Sequence, residues 1–189
     1  NWRSAAAGAF DTVAIRDEGS LWASEAPTPR KIHSFESPPP LVDLEQMGVE
    51  TNWRQVVRDP REGRSFYLLK TDGTLWRWRD TNRSPARLPL ARIEPRQVGA
   101  DSDWTKLWPA GHRLYLTKSE GRAWGINTMF RSSARNSELE PGLSLDPVTD
   151  FEGVEWRSVT GLSLFDLRVR PDGSLWAVGT LPWRRRQPS

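Results

Sequence analysis

The chain has 189 residues and a formal net charge of +3, and it contains 11 tryptophans but no cysteine. So many aromatic residues separate it from the aromatic-poor chains that remain disordered. The sequence also has no apolar run of about 18 residues that would predict a membrane-spanning helix. The lack of cysteine excludes disulfides, thiolate zinc sites and cysteine nucleophiles. The length suits one domain or one array of repeats.

Two short phrases recur along the chain with nearly constant spacing. The first places a tryptophan after Asn, Asp or Glu, and its tryptophans are Trp2, Trp53, Trp104 and Trp156, which lie 51, 51 and 52 positions apart. The second phrase reads "DEGSLW", "TDGTLW", "SEGRAW" and "PDGSLW", and its tryptophans are Trp22, Trp76, Trp124 and Trp176. A period near 50 residues is typical of repeat architectures. We therefore expect a single repeat domain over residues 1–189, with units of about 1–51, 52–102, 103–154 and 155–189.

Each unit has the sequence pattern of a β-hairpin. Apolar or β-favouring residues alternate before the turn, as Val13 and Ile15 do in the first unit, and period two is the period of a strand. Each turn then contains an acidic residue followed by a glycine, which supplies the positive φ that a tight hairpin turn requires. The turn glycines are Gly19, Gly73, Gly121 and Gly173. A basic residue precedes each of them by three positions: Arg16, Lys70, Lys118 and Arg170.

The segments between the hairpins are rich in proline, as in "EAPTPRKIHSFESPPPL". Because proline lacks the N–H that a central strand uses, these connectors are predicted to form short outer strands and loops. Residues 41–48, "LVDLEQMG", instead resemble one helical turn. The whole pattern predicts an all-β fold.

Strand-rich units of about 50 residues are typical of β-propeller blades. A buried aromatic side chain removes roughly 150–250 Å² from water, so the repeated tryptophans could supply much of the core. We expect all eight to pack between neighbouring blades. On that expectation, Trp176→Ala would cost about 3–5 kcal/mol.

The repeat resembles that of the regulator-of-chromosome-condensation family. The best copies are "VGADSDWTKLWPAGHRLYLTKSEGRAWGIN" at 98–127 and "WRSVTGLSLFDLRVRPDGSLWAVG" at 156–179. The resemblance covers nearly the whole chain and implies a β-propeller. Members of the family usually have about seven units, whereas this chain has four hairpins and three connectors. It could be a short ring, a piece of a longer propeller, or part of a ring completed by a second chain, and an unclosed end would expose strand edges.

Aromatic and basic residues that break the repeat are the candidate binding residues, because unpatterned Trp and Arg are common at interface hot spots. They are Trp78, Trp108, His112, Phe130, Trp183, Arg184 and Arg185. Each could instead fill a gap between irregular blades, and the "WRRR" run that begins at Trp183 could be a solvated tail.

No catalytic or metal-binding constellation is found in the sequence. The two histidines, His33 and His112, lie far apart, and no nucleophile elbow or phosphate-binding glycine loop is present. The repeated acidic residues are explained by the turns, and the "DSD" at 101–103 also suits a turn. We therefore expect no catalytic residue, no metal and no cofactor.

The favoured function is a non-catalytic module that binds a protein through the loop faces of its blades. The resemblance supports this function, because the family includes exchange factors for small GTPases, chromatin binders and secreted inhibitors of bacterial enzymes. The alternative is a glycan- or cell-envelope-binding module that uses exposed Trp78, Trp108 and Trp183. A nucleotide-exchange-type regulator, a hydrolase and a nucleic-acid-binding protein are less favoured, and self-association could complete the ring. The lack of cysteine and a first residue other than Met favour an exported bacterial domain, either periplasmic or extracellular, without fixing the compartment.

Overall fold

The computed structural model describes residues 1–8, 11–25, 44–60, 65–79, 94–111, 113–119, 121–126, 145–148, 156–161 and 165–179. These residues form fifteen β-strands and no helix. In chain order the strands are β1 (Trp2–Ala7), β2 (Asp11–Arg16), β3 (Leu21–Glu25), β4 (Glu45–Gln46), β5 (Trp53–Arg58), β6 (Ser65–Lys70), β7 (Leu75–Arg79), β8 (Arg96–Gln97), β9 (Trp104–Ala110), β10 (Arg113–Lys118), β11 (Ala123–Ile126), β12 (Leu145–Pro147), β13 (Ser158–Gly161), β14 (Phe165–Val169) and β15 (Leu175–Gly179).

The strands form four sheets, each of which takes its strands from one repeat unit. Sheet 1 has the order β1-β2-β3-β4, sheet 2 the order β5-β6-β7-β8, sheet 3 the order β9-β10-β11-β12 and sheet 4 the order β13-β14-β15. The pairings within them are antiparallel, as in a meander of hairpins. The all-β prediction is confirmed, and so are the short outer strands, which are β4, β8 and β12.

The prediction of a helical turn in residues 41–48 is wrong for the part that the structure describes. Gln46 pairs with Trp22 in the ladder of sheet 1, so the backbone there is extended. The next residue, Met47, donates its N–H to the carbonyl of Leu21 over 2.8 Å, which continues the pairing of the outer strand. Residues 41–43 lie outside the described residues.

The hairpin turns have the geometry that their glycines predict. In sheet 1, the Gly19 N–H donates to the Arg16 carbonyl over 2.9 Å, and the Arg16 N–H donates to the Ser20 carbonyl over 3.1 Å. This pair of bonds encloses a three-residue loop whose last residue has positive φ. The φ angles of Gly19, Gly73, Gly121 and Gly173 are 92°, 81°, 74° and 85°.

The chain divides into two compact units, Asn1–Leu107 and Trp108–Ser189, with the boundary inside β9. In the first unit, β1 and β2 pack against β5, and a core cluster includes Ile15, Leu21, Trp53 and Phe66. In the second unit, a smaller cluster contains Trp108, Ala110, Tyr115, Ala123 and Val159. The assignment of residues 1–189 to one repeat domain stays a prediction.

The repeated tryptophans are not buried alike, and this corrects the expectation that all eight lie in the core. Trp53 and Trp104 are 2% exposed, whereas Trp2 is 48% exposed and Trp176 is 46% exposed. Trp22, Trp76, Trp124 and Trp156 are partly buried. Trp2 lies in the first strand of sheet 1 and Trp176 in the last described strand of sheet 4, so burial of these indoles depends on a neighbouring sheet as well as on the repeat.

Candidate functional site

In sheets 1, 2 and 4 a cation lies between the two tryptophans of the repeat, which accounts for the Lys or Arg three positions before the turn glycine in those units. In sheet 2, Lys70 Nζ lies 4.6 Å from the ring centroid of Trp53 and 4.1 Å from that of Trp76. The two indoles meet edge to face at 5.8 Å. Lys70 is buried and forms an ion pair with Glu50 at 2.8 Å. A cation held against two indole faces is stabilised electrostatically by the aromatic quadrupoles.

The same arrangement recurs in sheets 1 and 4 with arginine. Arg16 Cζ lies 5.2 Å from the centroid of Trp2 and 4.2 Å from that of Trp22. The corresponding distances for Arg170 are 5.7 Å to Trp156 and 4.3 Å to Trp176. These basic residues therefore hold the hairpin together, and they are not free surface charges.

The acidic and hydroxyl residues of the turn form a short hydrogen-bond relay to the indole. In sheet 2, the hydroxyl of Thr74 donates to Asp72 Oδ1 over 2.7 Å and accepts from the Trp76 indole N–H over 2.8 Å. The Thr74 N–H also donates to Asp72 Oδ1, over 3.0 Å. The hydroxyl bond and then the N–H bond lower the pKa of the Asp72 carboxyl below its ordinary value of 3.8.

Sheets 1 and 4 repeat this relay through Ser20 and Ser174, and the pKa of Glu18 and of Asp172 is likewise lowered by hydrogen bonds from those serines. Sheet 3 has Arg122 at the hydroxyl position. The turn carboxylates thus have a structural role, as the sequence indicated.

In the compact unit Asn1–Leu107, each turn glycine also accepts a hydrogen bond from the sheet that follows it. The Trp53 N–H donates to the Gly19 carbonyl over 3.1 Å, and the Trp104 N–H donates to the Gly73 carbonyl over 3.1 Å. A Cβ at Gly19 would lie 2.1 Å from the carbonyl oxygen of Thr51, so the sheets meet too closely for any side chain there.

Polar side chains of the first strands fasten the same junctions. Ser4 Oγ accepts from the Val56 N–H over 3.1 Å and donates to the Val56 carbonyl over 3.2 Å. At the equivalent position of sheet 2, Gln55 makes the same pair of bonds with the backbone of Leu107, over 2.9 and 2.8 Å. The sheet-to-sheet contact is therefore a repeated and specific interface.

The compact unit Trp108–Ser189 contains a buried polar network that joins sheets 3 and 4. The Tyr115 hydroxyl donates to Asp166 Oδ2 over 2.6 Å, and Arg168 Nη2 lies 3.4 Å from the same oxygen. Arg113, which is exposed, donates from Nη1 to the Tyr115 hydroxyl over 3.3 Å. Burial raises the pKa of Tyr115 above its ordinary value of 10, so this hydroxyl stays protonated and can donate to the carboxylate.

This network occupies positions that are apolar in sheet 2. Counted back from the turn glycine, Asp166 and Arg168 stand where sheet 2 has Phe66 and Leu68. Replacing apolar core residues with charged ones costs desolvation that the network must offset. Asp166 and Arg168 alternate with Phe165, Leu167 and Val169, so the period-two pattern placed them on a solvated face, and only comparison with Phe66 and Leu68 of sheet 2 gave a signal of burial.

The candidate binding residues fall into two groups. Trp78 is 1% exposed and packs on Phe66 at 5.6 Å, and Trp108 is 7% exposed within the core of the second unit. The expectation that these two indoles are exposed stacking platforms is therefore wrong, because both fill core space. His112, Phe130, Trp183, Arg184 and Arg185 lie outside the described residues, so their binding role stays a prediction.

The described residues contain no group of three or more His, Cys, Asp or Glu side chains placed to hold a metal ion. The same residues include no helix that is long and apolar enough to span a bilayer.

Comparisons with known proteins place the architecture among solved propellers. No protein-family model and no curated protein matches the chain. Yeast RCC1 (Prp20), solved bound to Kap60, is 13% identical with a TM-score of 0.54, over 95% of this chain and 44% of that chain. The β-propeller domain of Myceliophteria thermophila Cps50 (Swd1) is 12% identical with a TM-score of 0.54, over 94% of this chain and 54% of that chain. The computationally designed Ika4 protein is 11% identical with a TM-score of 0.55, over 96% of this chain and 92% of that chain.

These likenesses, at low identity, concern the fold alone. The chain has an all-β, β-propeller-like fold of four blade-type sheets, and it spans about half the length of the yeast and Myceliophteria structures. The predicted β-propeller fold is confirmed, and yeast RCC1 is one of the propellers that the chain resembles, while membership of the chromosome-condensation repeat family stays a prediction.

Proposed function

We propose that this chain is a non-catalytic β-propeller module that binds a protein partner, with Arg113 and the network beneath it as a contact region on one loop face. The single observation that carries the proposal is the buried network of Tyr115, Asp166 and Arg168, which holds an exposed arginine in place. Sheet 2 shows that this fold accepts apolar side chains at the positions of Asp166 and Arg168, so the fold itself does not require the charges.

The chemistry of the region suits protein recognition. An arginine offers planar, bidentate hydrogen bonding to a carboxylate, and arginine is enriched among the residues that dominate binding energy at interfaces. Because Arg113 already donates to Tyr115, its side chain loses less freedom on binding than an unanchored arginine would. The expected partner surface carries Asp or Glu side chains opposite Arg113.

A binding role is also consistent with the known propellers. Yeast RCC1 binds Kap60 in its solved structure. In this chain, the turn carboxylates Glu18, Asp72 and Asp172 are engaged in structural hydrogen bonds. They support the hairpins, and we assign them no part in acid–base chemistry.

The proposal is tested by affinity capture with the purified chain, followed by reconstitution with the captured protein. Wild type and Arg96→Ala, which removes an exposed arginine of the outer strand β8, should retain the same partner. Arg113→Ala should weaken binding of the purified partner by at least about tenfold, which is typical of a central interface arginine. Equal affinity for all three proteins would contradict the assignment of Arg113, and the failure of wild type to bind any protein would contradict the binding role.

A further inference from the structure

At the junction between sheets 1 and 2, strand β5 of sheet 2 docks on four residues of sheet 1. We call these residues the acceptor surface because they receive that strand. Arg3, Ser4, Gly19 and Leu21 form this surface. Arg3 donates to the Trp53 carbonyl over 3.5 Å, and Gly19 accepts from the Trp53 N–H. Ser4 bonds the backbone of Val56 in both directions.

The apolar part of this junction is Leu21. It is 1% exposed and belongs to the same core cluster as Trp53, Val56 and Met47. The following sheet thus supplies one indole and one aliphatic side chain to cover it.

Sheet 4 has the same four residue types at the equivalent positions. They are Arg157, Ser158, Gly173 and Leu175. All four are exposed, and Leu175 is 66% exposed, in contrast to Leu21. An aliphatic side chain is thus left uncovered at a position that the first junction buries. The neighbouring indole of Trp176 is also exposed, but it lies on the other face of the strand.

Sheet 1 carries the matching donor strand. It begins "NWR" at Asn1, as sheet 2 begins "NWR" at Asn52, and the latter strand is the one that docks on sheet 1. Strands β1 and β5 share the same register with their partners, including an irregularity after the tryptophan. Trp53 is covered by the junction, whereas Trp2 is about half exposed.

We propose that the acceptor surface of sheet 4, formed by Arg157, Ser158, Gly173 and Leu175, binds strand β1 of a second copy of this chain. By equivalence with the first junction, Trp2 and Ala5 of the second copy cover Leu175, and Ser158 Oγ bonds the backbone of Ala5. The contact is head to tail, so it joins two different surfaces and gives assemblies of two or more chains. The inference goes beyond the proposed partner binding, because it uses a surface separate from Arg113.

The first test is the mass of the full chain in solution, measured by sedimentation velocity over a range of concentrations. Wild type should associate reversibly, and Leu175→Glu should raise the dissociation constant by at least about tenfold, because a carboxylate would be buried against an indole. Val49→Glu is the matched control, since Val49 is 91% exposed and lies outside the acceptor surface. It should associate like wild type. Retained tryptophan fluorescence and melting temperature would show that Leu175→Glu remains folded.

The second test identifies the contacting strands by disulfide formation, which the absence of native cysteine makes clean. Separately purified Ser158→Cys and Ala5→Cys chains are mixed and oxidised, so that their heterodisulfide can form only between copies. The doubly substituted Ser4→Cys, Val56→Cys chain is the positive control, because it places the same pair in the junction within one chain. A chain that carries both Ser158→Cys and Ala5→Cys shows whether the disulfide forms within one chain or between two.

The outcomes separate this inference from the proposed function. Heterodisulfide formation in the mixture at a rate comparable to the control, together with loss of association in Leu175→Glu, supports the second copy. A monomeric wild type, or a double variant that cross-links only within its own chain, overturns it. In either of those cases, binding of the protein partner through Arg113 could still be measured and would stand or fall separately.

Discussion

The main-chain N–H of Trp53 donates a hydrogen bond of 3.1 Å to the carbonyl of Gly19. This bond joins the first strand of sheet 2 to the turn of sheet 1, and it connects the two recurring phrases of the sequence. The strand that begins with the recurring tryptophan of one unit docks on the turn glycine of the unit before it. The repeated residues therefore form the junctions between sheets as well as the hairpins.

The first prediction compares Gly19→Ala with Gly173→Ala. Both glycines have positive φ, at 92° and 85°, so both substitutions should incur the left-handed penalty of about 1–2 kcal/mol. At Gly19 the new methyl group would also meet the Thr51 carbonyl, whereas nothing lies within 4 Å at Gly173. Urea unfolding should show that Gly19→Ala is more destabilising by at least about 1–3 kcal/mol, the range for overpacking. Equal losses of stability in the two variants would mean that the junction accommodates a methyl group at Gly19 without a free-energy cost.

The second prediction compares two tryptophans of the repeat. Trp53→Ala should cost about 3–5 kcal/mol, because the indole is fully buried. Trp176→Ala should cost roughly half as much in the monomer, since nearly half of its surface already contacts water. Equilibrium unfolding of both variants below the association range checks the ratio. A loss for Trp176→Ala as large as for Trp53→Ala would contradict the exposure of that indole.

The sequence was sufficient to predict the hairpins, their turn glycines and the outer strands, because these depend on local patterns. It did not predict the unequal burial of the tryptophans. Trp2 and Trp53 sit in nearly identical phrases, and only the presence of a docked neighbour distinguishes them. Burial of a repeat residue is a property of the junction, and a single unit does not contain that information.

The third prediction concerns the cation between the indoles of sheet 2. Lys70→Arg should be tolerated, because arginine occupies the same position in sheets 1 and 4. Lys70→Met should lose about 1–3 kcal/mol, since the contacts with Trp53 and Trp76 are desolvated. Glu50→Gln serves as the control for the ion pair and should cost at most about 1 kcal/mol, because Glu50 is half exposed. Chemical denaturation of the three variants gives the comparison. A stable Lys70→Met protein would show that the indoles need no cation.

The candidate site was harder to predict than the fold. Trp78 and Trp108 break the repeat, and the structure shows that irregular side chains such as these fill the core. Asp166 and Arg168 alternate with apolar residues, so the local pattern placed them on a solvated face, whereas both are buried and Asp166 has a buried hydrogen-bond partner. That partner, Tyr115, lies 51 residues earlier, and a contact of that range is not visible in a local pattern.

The fourth prediction tests the network in the second unit. Tyr115→Phe removes the donor to the buried Asp166 carboxylate and should cost about 1.5–3 kcal/mol, the range for a hydrogen bond to a charged group. In a double-mutant cycle with Asp166→Asn, the two losses should be less than additive by at least about 1 kcal/mol. Additive losses would show that the two side chains act independently, and the anchoring of Arg113 would then lose its basis.

The fifth prediction follows from the turn carboxylate of sheet 2. The Thr74 hydroxyl and N–H hold the pKa of Asp72 below 3.8, so the folded state binds this proton less readily than the unfolded state does. The resulting stability is fully present above the unfolded pKa and is lost as the pH falls through the lower folded pKa. Carboxyl NMR titration should therefore show a depressed pKa for Asp72, and Thr74→Ala should raise it towards the ordinary value. Thr71→Ala, which changes an exposed residue next to Asp72, should leave that pKa unaltered. A normal pKa in the wild type, or an identical shift in both variants, would show that the turn hydroxyl does not hold the carboxylate.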